Sequence, residues 1–362
     1  MAKQVGIDKW LFGSTLLLVL IGVVMVFSAS AVMAGERFGS AYYFLLRQLG
    51  WALAGLAAMT LSARLDYRVW KKPAIVFTFL GVTTLLLVAV FFFDRSHNTH
   101  RWFRLGFASF QPSELAKPAL ILFLAFFLAD RMKAIDDWRH TLLPAIVPPV
   151  LFCVLIVKEP DLGTAIVCLG ATAGILYVAG LRLRYFGYAL LPLVPALVYL
   201  LSVPYRRARI KVFLNPGSDP QGAGFHVSQS LIAVGTGGLT GLGLMEGKQK
   251  LFFLPEPHTD FIYAVASEEL GLIGAAFIAT LFLVFAWRGF RVAMRAKEPF
   301  ARFLAAGITT TVVLQAFFNM SVVLALLPTK GIPLPFISYG GSSLFVTLAS
   351  VGVLLNISQH AD

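Results

Sequence analysis

Charge is scarce in this chain of 362 residues: only 13% are Asp, Glu, Lys or Arg, against roughly 25% in a water-soluble domain. Apolar residues make up 58%, and the mean hydropathy is +0.80, which excludes an ordinary soluble fold. Cysteine is almost absent. Cys153 and Cys168 both lie inside apolar runs, and no CxxC pair exists, which excludes a disulfide framework and a thiolate metal centre. No internal repeat is evident, which counts against an inverted-repeat transporter. Acids are fewer than bases, 18 against 30, for a net charge of +12. In a soluble protein that excess points to nucleic acid. In a membrane protein it collects in loops that face anionic lipid, so the expected partner is membrane lipid and not nucleic acid.

Apolar segments of spanning length run at about 10–33, 43–63, 73–93, 113–129, 141–157, 162–181, 185–203, 261–286, 301–326 and 336–358. About 20 residues at 1.5 Å each cross a bilayer. The first resembles a signal-peptide core followed by Ser28, Ala29, Ser30 and Ala31, but its length from Trp10 to Met33 favours a retained helix. The pattern predicts an all-α polytopic membrane protein, a single domain over 1–362, with about ten transmembrane helices. Ten spans put both termini on one side. With those termini cytoplasmic, the inner segments hold sixteen basic residues: Lys3, Lys9, Arg64, Arg68, Lys71, Lys72, Arg131, Lys133, Arg139, Arg182, Arg184, Arg288, Arg291, Arg295, Lys297 and Arg302. The short outer connections hold six: Arg37, Arg95, Arg101, Arg104, Lys158 and Lys330. The positive-inside bias therefore predicts cytoplasmic termini in the cytoplasmic (inner) membrane.

This orientation leaves one large extracytoplasmic loop, about 204–260, between spans seven and eight. Long loops tend to carry function. Gly235, Gly237, Gly238, Gly241, Gly243 and Gly247 crowd its second half, and such backbone stays out of lipid unless it is buried in protein or lines a cavity. The loop is expected to fold back over the mouth of a cavity.

The candidate chemistry gathers on the same side. Leu254-Pro255-Glu256-Pro257-His258-Thr259-Asp260-Phe261 ends the loop, stiffened by two prolines. On spacing alone, Asp260 reads first as a cap or first-turn acid of the following helix. Glu268 and Glu269 follow two turns later, where an ionisable residue is costly and a functional candidate by default; the plainer alternative is a basic partner on another helix. Arg101-Trp102 precedes Gln111-Pro112-Ser113-Glu114-Leu115-Ala116-Lys117, in which Glu114 and Lys117 share a helical face. On spacing alone the pair reads first as structural, a neighbouring ion pair that makes both charges tolerable in the membrane. Lys158-Glu159-Pro160-Asp161-Leu162-Gly163-Thr164 forms a tight charged turn, and Tyr205 to Lys211 carries Arg206, Arg207 and Arg209. That basic stretch suits lipid headgroups or a phosphate-bearing substrate. Pro333 to Ser343, containing Ser338, opens the last span, and its small residues read first as packing. Together these features suit a charged substrate whose tail stays in lipid.

These motifs, in this order and over nearly the whole chain, resemble the SEDS family (shape, elongation, division and sporulation), typified by RodA and FtsW. Arg101-Trp102, Gln111 to Lys117, Pro160 to Ala165, Gln229-Ser230, Gly237-Gly238, Leu254 to Phe261 and Ser338 to Ser343 carry the resemblance. The Lys248–Leu254 and Leu327–Gly331 segments look more like the division branch, whereas Ser218 to His226 also occurs in RodA-like chains. Asn98-Thr99-His100 departs from the family's Asn-Gly-Ala form. The resemblance implies a peptidoglycan glycosyltransferase that polymerises lipid II, with an extracytoplasmic active site. Its implied partners are a class B penicillin-binding protein as transpeptidase and other divisome or elongasome proteins. It makes Asp260 the essential loop acid, expected here to act as general base, and matches Glu114 and Lys117 to a family pair in the central cavity; with these two, Arg101, Trp102, Asp161, Arg206, Arg207, Arg209, Glu256, His258 and Ser338 are the candidate substrate contacts. Divalent support by Mg²⁺ or Mn²⁺ is associated with the family, but no metal-ligand spacing displays it here. A lipid II flippase and a non-catalytic scaffold are the rival readings.

Overall fold

Ten long helices form the body of the protein, as seen in a computed structural model that describes residues 6–94, 100–105, 108–215, 224–251 and 253–361. Lys3, Arg95, Asn98, Thr99 and residues 218–223 of the RodA-like stretch lie outside the described residues. The long helices are α1 (Lys9–Phe38), α2 (Tyr43–Arg64), α3 (Pro73–Phe93), α4 (Pro112–Ala129), α5 (Leu143–Lys158), α6 (Leu162–Val178), α7 (Leu183–Ser202), α10 (Ile262–Arg295), α11 (Pro299–Val323) and α12 (Gly341–Ser358). Among the described residues, eight helices are long and apolar enough to cross a membrane, and α6 is a shorter apolar helix. The chain is a multi-pass membrane protein. An antiparallel hairpin, β1 (Phe103–Leu105) with β2 (Ala108–Phe110), leads into α4.

Local chemistry sets several of these ends. Asp8 caps α1 by accepting from the Trp10 and Leu11 amides, and Gly39 closes it in the left-handed region. Pro112 occupies the first turn of α4, with Glu114 beside the positive end of its dipole. Several expected boundaries shift, and three of the shifts have a visible cause or bear on the site. Helix α6 stops at Val178 rather than 181, because the chain turns at Gly180 (φ 95). Helix α10 continues to Arg295, well past 286. Helix α12 starts at Gly341 and not at 336, because the segment before it is committed to non-helical bonds described below.

Helix α1 packs on α2 and α10, α12 packs along α2, and α11 touches α4, α6 and α10. Helices α4, α11 and α12 are largely buried, whereas α2 and α3 leave broad apolar faces exposed. Without water to compete, such faces are satisfied by lipid. At one end of the bundle, Arg288 Nη2 pairs with Asp8 Oδ2 at 2.6 Å and the Asp8 amide donates to Ser358 Oγ at 3.2 Å. Both described chain ends therefore meet near the end of α10. Tyr339, just before α12, bonds the His258 carbonyl two residues from Asp260, while Ser358 at the far end of α12 meets Asp8; the 18 residues of α12 span about 27 Å at 1.5 Å per residue. The acid and the termini occupy opposite ends of the bundle.

In the described part of the long loop, α8 (Pro204–Leu214) and α9 (Phe225–Gly237) precede the rest of the glycine-rich segment, which folds back against α10.

Candidate active site

Helix α10 is broken at Gly271, whose φ of 65° and ψ of −168° fit glycine alone. The break frees backbone groups, and the glycine-rich segment takes them. The Leu272 and Ile273 amides donate to the Gly238 and Leu239 carbonyls, while the Leu242 and Gly243 amides donate to those of Glu268 and Glu269. The two acids lock the same contact. Glu268 Oε1 accepts from the Lys248 amide at 2.9 Å. Glu269 accepts from Ser28 Oγ of α1 at 2.7 and 2.6 Å, from Lys250 Nζ at 2.6 Å and from the Met245 amide at 3.1 Å. Both are buried and fully partnered. The basic partner comes from the loop rather than from another helix.

Asp260 is placed differently. Its own carbonyl accepts from Asn319 Nδ2 of α11 at 2.8 Å, and the same amide donates to the Ile332 carbonyl at 2.7 Å. Ser338 Oγ donates to the Thr259 carbonyl at 2.6 Å and accepts from the Leu334 amide at 2.7 Å. The Tyr339 amide donates to the His258 carbonyl. The end of the loop is thus stitched to 332–339, which is why that segment cannot join α12. Two residues here hold left-handed backbone, Glu256 (φ 49) and Phe336 (φ 67), the kind of local strain that rigid sites retain. The Asp260 carboxyl faces Gly331: a Cβ on that glycine would lie 2.7 Å from Oδ2. Burial, reinforced by Asp161 and Glu256 and opposed by Arg101 and Arg209, raises its pKa to about 6.

The neighbouring charges arrive from three directions. Arg101 Nε donates to the Glu159 carbonyl at 2.7 Å and Nη2 donates to that of Pro160, tying the hairpin strand to the α5–α6 turn. The Arg101 and Trp102 amides both donate to Asp94 Oδ2. Asp161 caps α6 through the Thr164 amide and hydroxyl and accepts from Gln111 Nε2 at 2.9 Å. Glu159 is buried with no hydrogen bond to either carboxyl oxygen. Burial first and Asp161 second push its pKa up to about 9, so it is a neutral acid at pH 7. From α8, Arg209 Nη1 donates to the Thr329 carbonyl at 3.0 Å.

Other sequence candidates stand apart from this group. His258 is buried between Phe44 and Tyr339, with ring centroids at 4.5 and 5.5 Å. Burial and then Arg37 lower its pKa to about 4, so its 3.7 Å approach to Glu256 is no ion pair at neutral pH. Arg207 lies on the exposed side of α8. Lys117 Nζ is committed to Glu114 Oε2 at 2.8 Å and Gln315 Oε1 at 2.9 Å, and both charged residues are buried. The cavity beside it, about 20 Å³ and lined by Lys117, Thr311, Gln315 and Ser350, has room for roughly one water and none for a sugar. Gln315 continues to the Pro333 carbonyl at 3.0 Å, so a polar chain runs from Glu114 and Lys117 through 332–333 and Asn319 to the Asp260 backbone. Among the described residues, no group of three or more His, Cys, Asp or Glu is placed to hold a metal ion.

Sequence reasoning gave no role to Gln315, Asn319 or Gly331, and named Glu159 only as part of a charged turn. The signal for the first two was present: unpaired amides inside the otherwise apolar 301–326 run need partners. No local pattern marks Gly331, whose importance comes only from the carboxyl opposite.

A family model described as "Cell cycle protein" (FTSW_RODA_SPOVE) matches residues 8–362. The probable peptidoglycan glycosyltransferase FtsW of Geobacter metallireducens is 47% identical over 94% of this chain and 91% of its own. Stage V sporulation protein E of Bacillus subtilis is 43% identical over 99% of each. Among solved structures, a chain described under the structural coordination of polymerization and crosslinking by a peptidoglycan synthase complex superposes with a TM-score of 0.80. It is 30% identical and is aligned over 98% of this chain and 99% of its own. The rod-shape-determining protein RodA of Thermus thermophilus gives 0.70 at 26% identity, over 98% of this chain and 97% of its own. With this architecture, and with its motifs matched from end to end, the chain belongs to the FtsW/RodA/SpoVE family.

Proposed function

We propose that this protein polymerises lipid II into β-1,4-linked glycan at the outer face of the cytoplasmic membrane, with Asp260 as general base. One observation carries the reading: at the end of the bundle away from the termini, the Asp260 carboxyl faces Gly331 and burial pushes its pKa up to about 6, while the hydrogen bonds of Glu268 and Glu269 are filled by the loop and α1. A base works best when its pKa lies near the working pH. At pH 7 Asp260 is mostly ionised yet basic enough to accept a proton from the 4-hydroxyl of one lipid-linked saccharide. That oxygen bonds to the anomeric carbon of the second, and the bond to its pyrophosphate oxygen breaks with inversion. Base catalysis supplies about 10²–10⁴-fold. Positioning by the fixed 258–260 and 332–339 segments and the cations of Arg101 and Arg209 supply more.

The basic residues at the opposite end support cytoplasmic termini and an outward active site. A class B penicillin-binding protein fits as the crosslinking partner, since a structural relative is described within a complex that coordinates the two steps. The test is glycan synthesis from purified lipid II by wild type and Asp260→Asn. The variant should fold normally and make no polymer. Near-normal chain formation by Asp260→Asn would refute the assignment.

A further inference from the structure

Gln315 and Asn319 stand four residues apart on one face of α11, and both are buried. The proposed reaction uses neither. Together they hold two successive carbonyls of one segment: Gln315 Nε2 donates to that of Pro333 at 3.0 Å, and Asn319 Nδ2 to that of Ile332 at 2.7 Å. The second N–H of Asn319 reaches the Asp260 carbonyl at 2.8 Å. A single amide nitrogen therefore joins the residue that carries the acid to the segment that carries Gly331. The close approach of Gly331 to the Asp260 carboxyl is held by these bonds.

The orientation of the glutamine is also decided. Lys117 Nζ can only donate, so it compels Gln315 to turn Oε1 toward α4, at 2.9 Å, and leaves Nε2 for Pro333. Glu114 Oε2 accepts from the same ammonium at 2.8 Å, and all four side chains are buried. In such surroundings charge-assisted bonds are strong and leave few alternative arrangements. Asn319 Oδ1 has no partner among the described residues, so both of its bonds are donated, one to each segment of the site.

We propose that Gln315 and Asn319 are positioning residues: anchored by the buried Glu114–Lys117 pair, they fix the Asp260 backbone against 331–333 and so aim its carboxyl at the acceptor hydroxyl. This rests on the reading of Asp260 as the base and says what holds that base in place. No proton travels along the chain, because the amides end on backbone carbonyls, which only accept. The contribution is geometric. Asp260 lies in the turn before α10, outside the helical ladder that would otherwise fix it, and a reacting group displaced by about 1 Å loses about 10²-fold in rate. Lys117 thereby affects the reaction without touching substrate, in keeping with a neighbouring cavity too small for a sugar. A role confined to packing predicts something else: variants would melt earlier, and kcat per folded molecule would stay at the wild-type value.

The pH profile separates the two roles. Burial comes first among the causes that set the Asp260 pKa, Asp161 and Glu256 add to it, and Arg101 and Arg209 oppose it. A carboxyl released from its position gains water and returns toward its ordinary value. The acid limb of kcat/KM, which reports the free enzyme, should then move below 6.

The experiment uses the purified full-length protein with lipid II across the acid limb, with rates expressed per folded molecule, for wild type, Asn319→Leu and Gln315→Met. Each replacement is close in shape and unable to donate. Asn319→Leu should lower kcat about 10²-fold, change KM far less and move the acid limb down. Gln315→Met, one bond further from the acid, should lower kcat about tenfold or less, the worth of one hydrogen bond, with the limb moving the same way. Gly331→Ala disturbs the same carboxyl, so joined to Asn319→Leu it should lose much less than the product of the two single effects. A folded Asn319→Leu enzyme with wild-type kcat, or one whose acid limb stays near 6, would overturn the proposal. If Asn319→Leu does not fold, Gln315→Met carries the same two readouts and decides. Asp260→Asn reports on the base separately. Polymer made by that variant would sink the base, whereas an inactive Asp260→Asn beside a fully active Asn319→Leu would sink the positioning alone.

Discussion

Asp260 and Glu269 stand nine residues apart in sequence, are both acids at one end of one helix, and behave in opposite ways. Glu269 is enclosed by a serine hydroxyl, a lysine ammonium and a backbone amide, all within 3.1 Å. Glu268 beside it gathers the amides of Lys248 and Gln249. These two acids fasten the glycine-rich loop to α1 and the broken α10, and nothing remains for substrate. Asp260 is held through its backbone, by Asn319, while its carboxyl faces a bare glycine and two other acids. A carboxylate whose lone pairs are filled is architecture. One kept partly dehydrated and under-neutralised is reactive, because accepting a proton is the change that relieves it.

Exchanging the damage between the two positions tests this contrast most severely. Glu269→Ala strands the buried Lys250 ammonium and should cost about 3–5 kcal/mol of stability, the usual penalty for breaking a buried pair. Adding Lys250→Met to that variant should recover much of the loss in thermal melts. Asp260→Asn should do the reverse, abolishing synthesis while leaving the fold firmer. Its sign follows from linkage. The Asp260 pKa rises from 3.8 to about 6 on folding, so its contribution favours the folded state at low pH and is lost as pH climbs through 6. At pH 7 the aspartate opposes folding, and asparagine should raise stability by up to about 3 kcal/mol, at about 1.4 kcal/mol per unit of displacement. A less stable Asp260→Asn protein would erase the distinction between the two acids.

Smaller effects sharpen the same comparison. Gly331→Ala places a methyl 2.7 Å from the Asp260 carboxyl oxygen and must displace it. A shift of about 1 Å in a reacting group costs about 10²-fold, so kcat should drop by that order with little change in melting temperature. The pH profile of kcat/KM should show an acid limb near 6 that disappears in no Glu268 or Glu269 variant folded well enough to assay. An acid limb near 4 would mean that the Asp260 carboxyl is hydrated in the working enzyme.

Much of the architecture was legible in the sequence because hydrophobic length is a local property. All ten apolar segments are helical, and the prolines at 112 and 299 mark helix starts as they do elsewhere. The errors fall where distant groups compete for backbone. Residues 336–340 are apolar enough to read as the opening of α12, yet Ser338 and Tyr339 spend their hydrogen bonds on Thr259 and His258. His258, in the motif that holds Asp260, and Ser338, in the motif that opens the last span, were read as substrate contacts, but in space one is packed between aromatic rings and the other is a clip between segments. Lys117 was read as a substrate contact, and its ammonium is already taken by Glu114 and Gln315.

The sequence alone determined the solvent this protein lives in, the order of its apolar helices, the sidedness bias of its cations and the presence of an acid where the long loop re-enters the bundle. All of these follow from composition and from spacing along the chain. Only the tertiary structure decided which acid is left under-neutralised, since the groups that settle it, Ser28, Lys250, Asp161, Arg101 and Arg209, lie from about 20 to 240 positions away. Electrostatic neutralisation depends on distance through space and on the water excluded between the charges, and neither quantity is written in local order.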